Sequence, residues 1–371
     1  MSEYQYYEWQ AIDRLLTPEE QSEVDGLSSH IEVTASYAMV DYQWGSFKHN
    51  ARQVLLRYFD VHLYLANWGS RRLIFRFPQG LLDENAVNAY CVPDHISFET
   101  FGNYQVLDLE LHEEEGFGWV ETNGVLSNFT RLRDDLIRGD FRLLYLAWLK
   151  AMTLNPYWNE DIEVEDQIEP PVPEGLNQLT PALSRFIDVF DLDPILVKAA
   201  ADASPKISSS QEHDYGLLVS KLSRDNCDEF LTRLANGETG VDHALRKKLI
   251  SFIRQKPTKQ RTLRTVGELF NKQEEFHEAE KKRKAEAAQR AHIAKMQSLA
   301  QHEPAMWVEI DRLLVSYTAK TYDEVTSQLV ELKQLAEFQG TQDAFKNRMR
   351  ELRVRYKPRH ALIDRWDRKG L

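Results

Sequence analysis

Apolar side chains in the N-terminal part of the chain alternate between two spacings. Residues 4–13 are rich in aromatics, and strand parity splits them into two faces. Tyr4, Tyr6, Glu8, Gln10 and Ile12 share one face, and Gln5, Tyr7, Trp9, Ala11 and Asp13 share the other. Large apolar residues on both faces predict a strand buried on both sides rather than an exposed stacking platform. Thr17-Pro18-Glu19-Glu20 then supplies a helix start, with a capping threonine, a proline in the first turn and a glutamate able to close a capping box. Residues 31–42, dense in β-branched and aromatic side chains, predict a second strand. Over 51–69, Val54, Leu55, Tyr58, Phe59, His62, Leu63 and Ala66 fall at helical spacing ahead of Gly69 and predict one helix. Residues 71–78 predict a short strand ended by Pro78. Strands near 95–100 and 104–111 flank the turn Phe101-Gly102-Asn103. Residues 132–152 give one or two helices with a strongly apolar face. The order predicts an α+β domain over 1–154, with helices packed on a mixed or antiparallel sheet.

The texture changes at 155–175, which holds seven acids, no bases and four prolines and so predicts an extended acidic linker. Beyond it the pattern is helical. Thr180-Pro181 and Asp193-Pro194 are cap-plus-proline helix starts. Segments near 181–190, 194–203, 213–222, 226–235 and 241–254 predict a small helical domain over 176–264. No Gly or Pro interrupts the chain between Gly267 and Pro304, and alanines are the only apolar residues between His277 and Arg290. With Glu278–Lys282, Glu280–Lys284 and Glu286–Arg290 at i,i+4, residues 265–302 predict a long solvated helix spanning roughly 50 Å. Over 303–371, Trp307, Ile310, Leu314 and Tyr317 form one stripe. The capping pattern Thr321-x-x-Glu324 introduces a second stripe, Tyr322, Val325, Leu329, Leu332 and Ala336, and Phe345, Met349, Leu352 and Tyr356 follow Gly340. Short loops between such stripes predict a helical hairpin or small three-helix bundle.

Charge adds a division that periodicity does not show. The formal net charge is −12, yet residues 1–200 carry 33 acidic and 14 basic side chains while 201–371 carry 25 acidic and 32 basic. The basic excess gathers in two places. Arg246, Lys247, Lys248, Arg254, Lys256, Lys259, Arg261 and Arg264 run without an acid between Asp242 and Glu268. Lys346, Arg350, Arg353 and Lys357 form a stripe beside the apolar one, widened by Arg348, Arg355, Arg359, Arg365, Arg368 and Lys369. Such residues contact a protein partner, an acidic part of the same chain, or phosphates in a sequence-independent and salt-sensitive way.

Candidate chemistry is sparse. His95 and His112 with Glu113, Glu114 and Glu115 could converge on paired strands, but no HxH, HExxH or Cys cluster accompanies them. Asp108 and Glu110 share a strand without the nearby lysine a metal-dependent nuclease site needs. Cys91 and His95 are separated by Pro93 and lack an orienting third group. Arg71 and Arg72 suit a structural salt bridge better than anion capture. No GxSxG, Walker loop or GxGxxG occurs, so no catalytic residue, metal ligand or cofactor is assigned. Two distant cysteines, the lack of a signal-like start and the lack of a run of about 20 apolar residues predict a reducing, cytoplasmic setting with no membrane partner.

The opening MSEYQYYEWQAIDRLLTPEE and the later RYFDVHLYLANWGSRRLIFRFP resemble a family of uncharacterised bacterial cytoplasmic proteins. AKTYDEVTSQLVELKQLAEFQG and the terminal HALIDRWDRKGL are similar to the same family, so the likeness covers nearly the whole chain. The resemblance implies a bacterial, cytoplasmic source and both halves in one chain, and it carries no site residue. The leading expectation is a non-catalytic adaptor that recruits a protein partner through its helical C-terminal part. The alternatives are an accessory factor binding nucleic acid non-specifically through basic C-terminal helices, and an enzyme with a pocket on the N-terminal sheet.

Overall fold

In the computed structural model the aromatic row near the N-terminus forms strand β1 (Gln5–Gln10), inside a seven-stranded sheet. The described residues are 3–113, 124–155, 162–205, 215–237, 241–250, 252, 263–316 and 318–371. After β1 come α1 (Pro18–Asp25), β2 (Glu32–Val33), β3 (Tyr37–Tyr42), α2 (Ala51–Tyr58), β4 (Val61–Ala66) and β5 (Ser70–Pro78). They are followed by α3 (Glu84–Asn88), β6 (Ile96–Phe101), β7 (Tyr104–His112), α4 (Val125–Ile137) and α5 (Arg142–Leu154). The strand order is β2-β3-β1-β4-β5-β7-β6, and every pairing is antiparallel. The α+β expectation therefore resolves to its antiparallel form.

β1 lies between β3 and β4 and is buried on both faces, as its parity predicted. Tyr6 joins Leu63, Phe75 and Leu109 in a core covered by Phe129 of α4 and Leu144 of α5. Trp9 enters a second core, with Val40, Ile74, Val54, Leu55 and Val24, under α1 and α2. Thr17 caps α1, and Glu20 closes the expected capping box.

The single helix expected over 51–69 is two elements. α2 stops at Tyr58, Phe59 is extended at φ −125° and ψ 174°, and β4 begins two residues later. Val61, Leu63 and Leu65 face one core while His62 and Tyr64 face the other way, and β4 pairs with both β1 and β5. A short apolar run fits a helical stripe and a strand buried on both faces equally well, and pairing to two neighbours selects the strand. Gly69 then turns the chain at φ +97°, where a Cβ would lie 2.4 Å from the Glu113 carbonyl oxygen.

The acidic segment expected as a linker is packed chain in its described part. Val164, Gln167 and Glu169 are buried, and the Val266 N–H donates to the Gln167 carbonyl at 2.8 Å. α6 (Pro181–Val189) and α7 (Pro194–Asp202), capped by Thr180 and Asp193 as expected, place Phe186, Phe190 and Leu196 in the same core as the sheet. α8 (Tyr215–Val219), α9 (Arg224–Ala235) and α10 (Val241–Ile250) follow.

α11 (Val266–Leu313) begins with Val266 and Leu269 in the main core, is exposed at every residue from Lys281 to His292, and continues through Pro304. The chain divides within it into two compact units, Met1–Phe276 and His277–Leu371. The second unit is completed by α12 (Ala319–Gln339), α13 (Gln342–Arg355) and α14 (His360–Arg368).

Candidate interaction surface

The C-terminal unit is held by its own core. Trp307 and Ile310 from α11, with Leu314 in the turn just after it, meet Tyr322, Val325, Leu329 and Leu332 from α12, and Phe345, Met349 and Leu352 from α13. The stripes read from the sequence thus form one cluster, except that Tyr317 lies outside the described residues. α14, which periodicity did not predict, adds Leu362 and Trp366, both fully buried and one helical turn apart. The cap of α12 is Thr318, whose hydroxyl accepts from the Thr321 N–H at 3.2 Å, and the expected cap Thr321 sits inside the first turn. Gly340 ends α12 in the left-handed conformation at φ +73°. Only Thr341 separates it from α13, and such a short turn sets the two helices antiparallel.

Phe345, Met349 and Leu352 point α13 inward, so the basic positions beside them divide by function. Arg348 stacks 4.0 Å from the Trp307 ring centroid, and Arg359 donates to the Leu314 carbonyl at 2.6 Å. Arg365 pairs with Asp323 at 2.6 Å. These cations knit helices together. Lys346, Arg350 and Arg353 line a groove of about 310 Å³ between α12 and α13, closed at one end by Gly370 and Leu371 and floored by Ala336, Phe345 and Met349. Lys333 of α12 completes the rim, with Nζ donating to the Gly370 carbonyl at 2.8 Å. Arg353 is anchored by Asp367 at 2.6 Å and by the Leu371 carbonyl. Lys346 lies 3.7 Å from Asp343, an almost fully solvated carboxylate, and Arg350 donates to the Asn347 side-chain carbonyl at 2.9 Å. Lys357 is exposed in the turn between α13 and α14 and does not line the groove.

The other basic cluster is only partly described. Lys248 is exposed on α10, while Arg246 and Lys247 belong to the same helix with side chains outside the described residues. Arg254, Lys256, Lys259 and Arg261 also lie outside them. Arg264 is half-buried and turned into the fold. It forms a bidentate pair with buried Glu169 at 2.6 and 2.7 Å and donates to the Ala199 carbonyl at 3.0 Å. Tyr145 also bonds to Glu169, and burial with that carboxylate beside it drives the phenol well above its ordinary range.

In the sheet unit the candidate residues are held apart or neutralised. His95 Nδ1 lies on the Glu110 carbonyl at 3.2 Å and His112 Nδ1 on Ser70 at 2.8 Å. Among the described residues no group of three His, Cys, Asp or Glu side chains is placed to hold a metal ion. Glu114 and Glu115 lie outside the described residues. The Cys91 thiol faces the Val87 carbonyl and Asn88 rather than His95, and burial raises its pKa. Arg72 chelates Asp108 at 2.7 and 2.8 Å and reaches Glu110 at 3.3 Å, the structural role expected for it. A cavity of about 410 Å³ lies beside the α4–α5 turn and not on the sheet face, among Tyr90, Phe141, Arg142 and Pro173. Arg142 is already engaged there by Asp140 and the carbonyls of Gly175 and Gln178.

No described helix is long and apolar enough to cross a membrane. Comparison with known proteins yields no matching family model, no matching curated protein and no matching solved structure.

Proposed function

We propose that the chain is a bacterial cytoplasmic adaptor that recruits a protein partner through its C-terminal helical unit. The observation that carries this reading is the construction of that unit. It has a core of its own, and the chain enters it along a helix exposed on every side from Lys281 to His292. A helix polar all round is characteristic of a solvated connection between modules, and a separately cored module is free to specialise in recognition. The test is affinity capture from bacterial lysate with the tagged full chain and with a form lacking 277–371. Reproducible proteins retained by the first and lost by the second are the expected result. Equal recovery by both removes the C-terminal unit from the interaction.

A second reading, non-specific nucleic-acid binding, is favoured by exposed Lys346, Arg350 and Lys357 on a unit with 19 basic and 14 acidic residues. It requires that binding of a labelled duplex by the full chain fall steeply between low and physiological salt. Absence of binding at low salt eliminates it.

A further inference from the structure

From the groove between α12 and α13 we infer that the partner is recognised as an acidic amphipathic helix laid along α13. This inference rests on the adaptor reading and specifies the chemistry of its partner.

Three features of the groove select this occupant. Its α13 wall runs from Gln342 to Arg353 through Phe345, Met349 and Arg350, positions that recur every three or four residues. At about 1.5 Å per residue that wall is roughly 16 Å long, the length of three helical turns. An antiparallel helix pair with an apolar seam between its members presents the geometry of helix-in-groove recognition, in which a third helix inserts residues spaced i, i+3 or i+4, and i+7. The floor of Ala336, Phe345 and Met349 is apolar, and methionine and phenylalanine adapt to a range of apolar anchors.

The rim fixes the sign of the partner. Lys333 stands on one wall, and Lys346, Arg350 and Arg353 stand on the other. Arg353 is matched by Asp367 and the Leu371 carbonyl, and among the described residues Lys346 is matched by Asp343, a carboxylate in solvent, where an ion pair contributes little. Arg350 has no carboxylate partner among the described residues. Among the described residues lining the groove Glu337 is the one Asp or Glu, while Gly370 and Leu371 close one end with carbonyls that accept from Lys333 and Arg353. A helix with carboxylates flanking its apolar stripe satisfies this rim, whereas a basic helix is repelled by it. A phosphate backbone would use the cations but gain nothing from the floor, because phosphates make no apolar contact.

The experiment uses the full chain and fluorescent helical peptides of about 14 residues, four turns. One carries leucines at helical spacing with glutamates on the polar face, and one has lysines in place of the glutamates. A third keeps the acidic composition with the leucines scrambled, and a labelled duplex oligonucleotide serves as the fourth probe. By anisotropy, the Glu peptide is expected to bind at least about tenfold more tightly than the Lys and scrambled peptides. In a Lys346→Glu, Arg350→Glu variant the preference between Glu and Lys peptides is expected to reverse. Both side chains are solvent-exposed, and a gain of Lys-peptide binding is something an unfolded variant does not produce. Equal binding of the scrambled peptide, displacement of the Glu peptide by the duplex, or an unchanged preference in the variant overturns the inference. Lysate capture separates the two claims. Proteins retained equally by the native chain and the double variant overturn the groove assignment and leave the adaptor reading standing. Expected peptide binding with no captured protein removes the adaptor reading and leaves the groove chemistry intact.

Discussion

Asp60 shows how a charge becomes a structural part of this fold. Its carboxylate accepts from the backbone N–H groups of Ile12 and Asp13 at 2.6 and 2.9 Å and from Arg76 at 2.7 Å. Burial pushes the carboxyl upward, but Arg76 and the two amides outweigh it and hold the group below its ordinary range. Arg76 also donates to the Leu56 carbonyl at 2.7 Å, and Arg133 binds Asp13 at 2.7 Å and the Arg76 carbonyl at 3.0 Å. The network ties the end of β1, the α2–β4 junction, β5 and α4. Removing Arg76 leaves a buried carboxylate held by the two amides but without its cation, so Arg76→Met is expected to destabilise the sheet unit by about 3 kcal/mol in urea unfolding. Arg72→Met, which breaks a pair one-third exposed on the arginine side, is expected to cost less. His62 gives a pH signature. It is buried between β1 and β5, stacks 4.7 Å from Trp9, and burial lowers its pKa to about 3. The unfolded chain therefore binds a proton between about pH 6.5 and 3 that the folded chain refuses, and stability falls as pH drops through that window. The slope from this group is at most about 1.4 kcal/mol per pH unit. Glu8, raised by burial, acts with the opposite sign: its contribution is present below the unfolded carboxylate pKa and is lost as pH rises. In pH-dependent denaturation His62→Phe is expected to flatten the acid limb below pH 6.5. An unchanged slope would show that other groups set it.

Glycines at turns separate backbone strain from crowding. Gly340 caps α12 at φ +73° with no atom within 4 Å of a built Cβ, so Gly340→Ala carries only the left-handed penalty, about 1 kcal/mol in the C-terminal unit. At Gly69 the same φ problem is joined by a Cβ 2.4 Å from the Glu113 carbonyl, so Gly69→Ala is expected to cost more. Paired thermal melts of the two variants test that order. Elements with redundant local signals were legible in the sequence. Thr17 with Glu20, Thr180-Pro181 and Asp193-Pro194 each start a helix where their side chains require it. Where one local pattern admitted two periods, long-range pairing decided, and β4 emerged from a segment whose apolar spacing also fits a helix. Composition misled at 162–175. Acids and prolines suggested an extended linker, but Val164 and the backbone bonds of Gln167 to Val266 and of Glu169 to Arg264 hold it against the core. At the groove, the stripe of Lys346, Arg350 and Arg353 was visible from spacing. Lys333 was not, because its place on the rim depends on how α12 and α13 pair. Which arginines stay available was also hidden, since that depends on partners such as Trp307 and Asp323, distant in sequence.

Two sets of cores in one chain imply two unfolding events, and α11 has one end in each. At its start, Val266 and Leu269 are buried in the sheet unit, and Gly267 has Glu165 so close that a Cβ would lie 2.8 Å from the Glu165 Cα. Arg264 fastens the residues just before it to Glu169. At its end, Trp307 and Ile310 belong to the core that contains Trp366. Between these anchors the turns from Lys281 to His292 bury nothing, and i,i+3 and i,i+4 pairs such as Glu280 with Arg283 and Lys284 add only tenths of a kcal/mol each. Stability along the helix should therefore dip in the middle, and hydrogen exchange is expected to be faster at 281–292 than at 266–276 or 305–313. The same reasoning predicts how damage spreads. Trp366→Ala opens the C-terminal core and should cost about 3–5 kcal/mol there. Because no residue of that core belongs to either cluster around the sheet, protection of β4 and β5 should remain at its native level. If exchange in β4 accelerates together with α12 and α13, the two units unfold as one, and the solvated helix between them transmits more free energy than its exposed surface can supply.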